Sequence, residues 1–165
     1  MNAAYWIEKL QLAKHAEGGY FSEVYRSSLT VNKVNLPDPF HGNRNFSTSI
    51  YFLLEGEQFS AFHRIASDEL WHFYAGDSLI IFEVEQDGNL IEHKLGNNPE
   101  NGESFQIVIK AGNWFGSRVG NGNGYSLVGC TVSPGFDFED FELAERKLLI
   151  EQFPQHKDLI RNLTR

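Results

Sequence analysis

A chain of 165 residues with 41% hydrophobic and 14% aromatic content has the length to bury a sizeable core as one domain, residues 1–165. Its 14 Lys and Arg stand against 22 Asp and Glu, for a net charge of −8; with no basic cluster this excludes a reader of nucleic-acid phosphates and disfavours an anionic membrane surface. The single cysteine, Cys130, excludes an internal disulfide, and no apolar run approaches the ~18 residues of a membrane span.

The N-terminus has no basic start followed by an apolar run, so no signal peptide is expected and the expected location is cytoplasmic. Ala3, Trp6, Ile7, Leu10 and Ala13 recur at helical spacing and predict a short helix over 3–13, closed by Gly18 and Gly19. Residues 20–26 read as a strand. Residues 29–43, with Pro37, Pro39 and Gly42, read as a loop long enough to cover something. Residues 46–54 are a strong strand, turned at Gly56. Strands follow at about 58–65, 69–75, 79–85 and 90–95, with a turn at 86–89. Residues 105–110 alternate before a turn at Gly112. Residues 120–124 form a Gly/Asn hairpin loop; they lack the Lys-Ser/Thr ending and following helix of a phosphate loop. Residues 125–133 are a strand in which Cys130 reads as a small buried side chain, stopped by Pro134 and Gly135. Helical spacing returns over 139–152, Pro154 breaks it, and a short helix follows to Leu163. Many short strands with helices only at the ends predict an all-β sandwich or barrel.

The chemistry concentrates between Gly56 and Gly76. Residues two apart in a strand share a face, so His63 lies with Phe59, Ala61 and Ile65, and Glu69 lies with Trp71, Phe73 and Ala75. His72 has the opposite parity and faces the other side of the sheet. A second Gly-plus-aromatic cluster, Gly112, Trp114 and Phe115, follows.

This pattern resembles the cupin superfamily, whose first motif is a Gly, two His one residue apart, a Glu and a Gly. His63, Glu69 and Gly76 fit it, while Ile65 stands in place of the second His. The second cupin motif reads Pro-x-Gly-x-x-His; here Lys110 replaces the Pro, Gly112 is kept and Phe115 replaces the His. Three further segments, His15 to Phe21, Ser67 to Phe73 and Gly129 to Phe141, resemble a family of short single-domain cupins of unassigned function; Ala16 stands where that family usually has Pro. The resemblance implies a cupin-type double-stranded β-helix, a jelly-roll barrel with short terminal helices. It turns His63 and Glu69 into an aromatic cavity and implies a homodimer formed by sheet packing.

A transition-metal site needs about three protein ligands. His63 and Glu69 supply two, Ile65 and Phe115 ligate nothing, and no spacing requires a third from His15, Glu23, His41 or His72. No bound metal or other cofactor is therefore expected, and a metal-dependent cupin enzyme is the less favoured alternative. The favoured expectation is a small-molecule-binding pocket with a His–Glu pair. It would act as a metal-free isomerase or epimerase on a sugar- or nucleotide-derived metabolite. His63 is the general base, Glu69 its orienter, and Tyr51 or Tyr125 a candidate acid. Trp71, Phe73, Trp114 and Phe115 are candidate substrate-stacking residues, and Arg26 a candidate partner for an anionic group. Two other classes compete: a non-catalytic metabolite-binding module using the same pocket, and a homo-oligomeric structural protein.

Overall fold

The computed structural model describes residues 1–165. Helix α1 (Ala3–Lys9) is followed by β1 (Ala13–Lys14), β2 (Tyr20–Arg26), β3 (Thr30–Val31), β4 (Arg44–Asn45), β5 (Thr48–Glu55), β6 (Phe59–Arg64) and β7 (Asp68–Gly76). Next come β8 (Leu79–Val84), β9 (Leu90–Leu95), β10 (Gln106–Ile109), β11 (Trp114–Val119), β12 (Tyr125–Ser133) and β13 (Glu142–Leu143). Helices α2 (Arg146–Gln152) and α3 (Lys157–Asn162) complete the chain.

Strands β3 and β4 pair with each other, and the other strands form two facing antiparallel sheets. One has the order β1-β2-β5-β12-β7-β10, the other β13-β6-β11-β8-β9. This is the jelly-roll architecture that the resemblance implies. Alternation along the strands builds the interior between the sheets. Phe52 and Leu54 of β5, Trp71 of β7, Val128 and Cys130 of β12 and Phe115 of β11 all contribute to one buried cluster. The outer face of the five-stranded sheet carries Phe62, Phe82, Val84 and Trp114, roofed by Leu149, Phe153, Ile160 and Leu163 of the C-terminal helices. The outer face of the other sheet is covered by α1 around Leu53 and Leu127. The rest of that face is open, with Leu70, Tyr74 and Val108 exposed.

Three local readings change. The first helix stops at Lys9, because Ala13 and Lys14 satisfy their backbone as partners of Phe21 and Tyr20. The turn after Gly112 leads into a full strand, β11, central in its sheet between β6 and β8. Gly116 and Ser117 interrupt its apolar run, and a Cβ at Gly116 would crowd β6, 3.0 Å from the Ser60 carbonyl oxygen. The helix expected over 139–152 begins only at Arg146. Ahead of it the chain runs extended, pairs Leu143 with His63, and packs Phe141 onto the His63 ring at 5.3 Å.

The 29–43 segment braces its neighbour. Arg44, 3% exposed, forks onto Asp140 and also reaches Glu139 at 3.2 Å, while the His41 N–H donates to Asp140. The loop thereby fixes the 134–141 segment, which closes one end of the sandwich.

Candidate functional site

At that end the sheets part around a cavity of about 180 Å³. Phe21, Ile50, Phe52, Ile65 and Val132 form its apolar walls, and Phe136 and Phe138 stand at the mouth. Four titratable side chains face its interior: His15, Glu17, His63 and Glu69.

Strand parity brings His63 and Glu69 in, from β6 and β7 on opposite sheets. Glu17 arrives by a different route. The turn from His15 to Gly19 closes with the His15 N–H on the Gly19 carbonyl at 3.0 Å, and the Ala61 N–H pins the Glu17 carbonyl at 2.9 Å. Gly18 has φ 120°, and a Cβ there would meet the Phe59 carbonyl oxygen, so only glycine lets the turn lie this close to β6. Glu17 then accepts from Ser60 Oγ at 2.8 Å and sits between two imidazoles, 3.2 Å from His63 Nε2 and 3.4 Å from His15 Nδ1.

The hydrogen bonds assign the protons. His63 Nδ1 lies 2.8 Å from the Ala61 carbonyl, so it carries the hydrogen and Nε2 keeps a lone pair. A contact between that lone pair and a Glu17 oxygen is favourable only with one proton shared between them. Burial pushes the His63 imidazole down to about 4, the Ala61 carbonyl opposing only in part, so the shared proton resides on Glu17. Burial raises the Glu17 carboxyl as well, against His15, Ser60 and Arg165. Burial lowers His15. Glu69 is pushed up to about 8, first by burial and then by Glu17; the Cys130 thiol and the Trp71 indole offset this only weakly. Desolvation thus works against the charged form of all four groups.

His63, Glu69 and Arg26 thus face one cavity. His63 is oriented by Glu17, with no hydrogen bond to Glu69. Trp71 and Phe73 lie below Glu69 in the interior, with Trp71 1% exposed. Phe115 is buried against His63 with ring centroids 4.1 Å apart. Trp114 points to the opposite face of its sheet, beneath the C-terminal helices, where the Arg64 guanidinium lies 4.5 Å from its ring. Tyr51 has the parity of Leu53, packs on Tyr74 at 5.8 Å, and lies outside the cavity. Tyr125 does likewise, accepting from Trp6 Nε1 at 3.0 Å. His72 faces outward onto Thr131. Sequence reasoning passed over Glu17; the available signal was the Gly18–Gly19 pair, since successive glycines mark a chain pressed against another.

The residues present do not fit a cupin metal. Ile65 lines the cavity and Phe115 is buried in the core, and no cluster of three or more His, Cys, Asp or Glu side chains has metal-holding geometry.

Comparison with known proteins places this geometry in a lineage. The family described as Cupin superfamily (DUF985) matches residues 4–144. An uncharacterized protein of Saccharomyces cerevisiae is 35% identical over 144 residues, 81% of this chain and 71% of the yeast protein. A protein of Shewanella oneidensis superposes with a TM-score of 0.88 at 42% identity, covering 100% of this chain and 98% of its own. A hypothetical protein of Leishmania major gives 0.90 at 38%, covering 99% of both. Oxalate decarboxylase of Bacillus subtilis matches at 0.56 and 15% identity, over 91% of this chain and 36% of its own, a likeness of fold alone.

Proposed function

The chain belongs to the cupin superfamily, to the family described as DUF985, and from that membership and the cavity between its sheets we propose a small-molecule-binding protein that moves protons without a metal. The observation that carries this reading is the set of buried acid and base groups, Glu17, His63 and Glu69, that face one cavity. A carboxyl at about 8 is poised close to neutral pH, where proton transfer is most efficient. Glu69 donates its hydrogen to a carbonyl oxygen of the ligand. The Glu17–His63 pair takes the proton from the adjacent carbon: Glu17 passes its own proton to His63 Nε2 and accepts the substrate's. Glu17 returns that proton to the same or a neighbouring carbon and recovers its own from His63 Nε2, while an O–H of the enol reprotonates Glu69, which completes an epimerisation or isomerisation with no net change. Sugar- and nucleotide-derived metabolites carry such carbonyl groups.

The test is mass spectrometry of compounds released by denaturing the purified protein, followed by incubation of each with fresh protein in deuterated water. Deuterium entering one C–H position, and lost with His63→Ala, is the expected result. A retained compound that never exchanges favours a non-catalytic binding module. One observation supports that second reading: both His63 ring nitrogens are already engaged, by Ala61 and Glu17.

The protein is further proposed to be a homodimer through the open face of the six-stranded sheet, where exposed Tyr25, Leu70, Tyr74 and Val108 flank the small Ser49 and Thr131. Light scattering at micromolar concentration should give twice the chain mass of 18.8 kDa, and the chain mass itself would overturn this.

A further inference from the structure

Resting on the reading of this cavity as a small-molecule site, we infer that its ligand is uncharged and unphosphorylated, a hydroxyl- and carbonyl-bearing molecule of monosaccharide size. The first observation is the state of Arg26, the only Lys or Arg lining the cavity. Its Nε donates to Glu23 at 3.0 Å and its Nη2 to the other Glu23 oxygen at 2.7 Å. Nη1 donates to Asn45 Oδ1 at 2.9 Å and to the Phe136 carbonyl at 3.2 Å. A guanidinium has five N–H groups, so four are committed and the forked pair that grips a phosphate or carboxylate is already closed on Glu23. Arg26 therefore holds the mouth together and has no fork left for a ligand.

The second observation is the sign of what remains. Besides Arg26, the ionisable side chains on the wall are two imidazoles, the Cys130 thiol, which burial keeps protonated, and the carboxyls Glu17, Glu23, Glu69 and Asp137. With Glu23 matched by Arg26, Asp137 leaves the mouth negative. An anion entering would meet no free cation and would lose its hydration without replacement. An uncharged ligand meets the opposite situation. Glu69 offers it an O–H donor, and the Thr48 hydroxyl and the His15 Nε2 offer further hydrogen-bonding groups. Phe21, Phe52, Phe136 and Phe138 give flat apolar faces suited to the C–H side of a sugar ring.

The third observation is size. At about 180 Å³ the cavity is smaller than the ~300–1,000 Å³ of pockets that hold drug-sized ligands. A nucleotide-linked sugar would leave its phosphates at the mouth, beside Asp137.

The test is binding by calorimetry and ligand-observed NMR with the full chain. The panel comprises aldoses, ketoses and aldonolactones, each beside its own phosphate ester, and uridine beside its monophosphate. The expected result is that at least one unphosphorylated member binds and its ester binds at least about tenfold more weakly. Ile50→Phe, which fills the cavity wall, should abolish the binding. An ester that binds as tightly as its parent, or tighter, overturns the inference; so does silence from every unphosphorylated member. Failure of proton transfer is read separately, by deuterium exchange. A sugar bound without exchange leaves this inference standing, and an ester bound and exchanged sinks it alone.

Discussion

Glu17 and Glu83 each lie within reach of an imidazole, 3.2 Å from His63 and 2.7 Å from His93. Both carboxyls are buried, and both pairs belong to one cross-strand row. His63 of β6 pairs with Phe115 of β11, which pairs with Glu83 of β8. Two strand spacings, roughly 10 Å, separate the two pairs. Their charge states differ because their donors differ. Glu83 receives hydrogen bonds from His93, from Asn113 Nδ2 at 2.7 Å and from the Lys110 N–H at 3.1 Å. Burial alone would raise it, but these donors hold it below its ordinary value, ionised. Glu17 receives one clear donor, Ser60, and faces imidazoles that present lone pairs, so it keeps its proton. A saturated carboxylate ties down the 110–113 turn; an unsaturated carboxyl beside an open cavity is left reactive.

Removing the reactive groups of the cavity, His63 of that pair and Glu69 facing it, should have the largest effect. His63→Ala and Glu69→Gln should each lower turnover of the natural ligand by on the order of 10²–10⁴-fold, the contribution of general acid–base groups. Glu69→Gln should leave the melting temperature nearly unchanged near pH 4, where the carboxyl is protonated in the folded and unfolded chain alike, and should raise it at pH 7, where wild type must take up a proton to fold. If His63→Ala keeps full binding and turnover and shows only a lowered melting point, the pair is structural like its neighbour and the contrast fails.

Glu83→Ala should act on stability instead. It strands the Asn113 amide, the Lys110 N–H and the His93 ring, each worth about 1–3 kcal/mol when buried and unsatisfied. Urea denaturation should report a loss of several kcal/mol, with ligand affinity of the folded fraction unchanged. A parallel loss of affinity would mean that Phe115 couples the two pairs.

The pH profile of stability sharpens the contrast further. Glu69 is raised from 4.5 to about 8, so the folded chain holds a proton that the unfolded chain releases, and stability falls as pH rises from about 4.5 to 8. His63 is lowered from 6.5 to about 4, so the unfolded chain binds the extra proton, and stability rises from about pH 4 to 6.5. The two slopes oppose each other up to pH 6.5. Above it only the carboxyls act, and stability should fall toward pH 8 by at most about 1.4 kcal/mol per pH unit for each proton. Glu69→Gln should flatten that fall, as thermal melts at pH 6.5 and 8 would show; an unchanged slope would remove Glu69 as its source.

The sequence carried the barrel well because strand alternation and Gly/Asn turns are local signals. Residues 20–26 and 125–133 were bounded as the structure has them. Parity likewise brought His63 and Glu69 to one cavity and turned His72 away. Parity also disfavours Tyr51, which alternates with the cavity-lining Ile50 and Phe52; the aromatic segment around it hid that. Glu17 was not legible, because its place depends on a turn docking against a strand more than 40 residues away. Glu83 was missed for a similar reason: its partners His93 and Asn113 come from other strands and turns, and no spacing joins them.

The smallest effect should come from His93. Its side chain is 21% exposed, so water can replace the donor it supplies, and Glu83 keeps Asn113 and the Lys110 N–H. His93→Gln should therefore cost about 1 kcal/mol or less at pH 7, with ligand binding unaffected. The sign of its pH dependence is fixed by Glu83. A lowered carboxyl gives stability that is present above its unfolded value of 4.5 and lost as pH falls through the folded one. Removing one donor lets the folded Glu83 protonate at higher pH, so less of that stability exists to be lost on acidification. The gap set by Glu83 should thus hold from pH 7 to about 4.5 and narrow below it. His63→Gln, on the other side of Phe115, should instead change ligand binding at pH 7. If the two glutamine variants behave alike in both assays, the difference in donors does not separate a reactive carboxyl from a structural one.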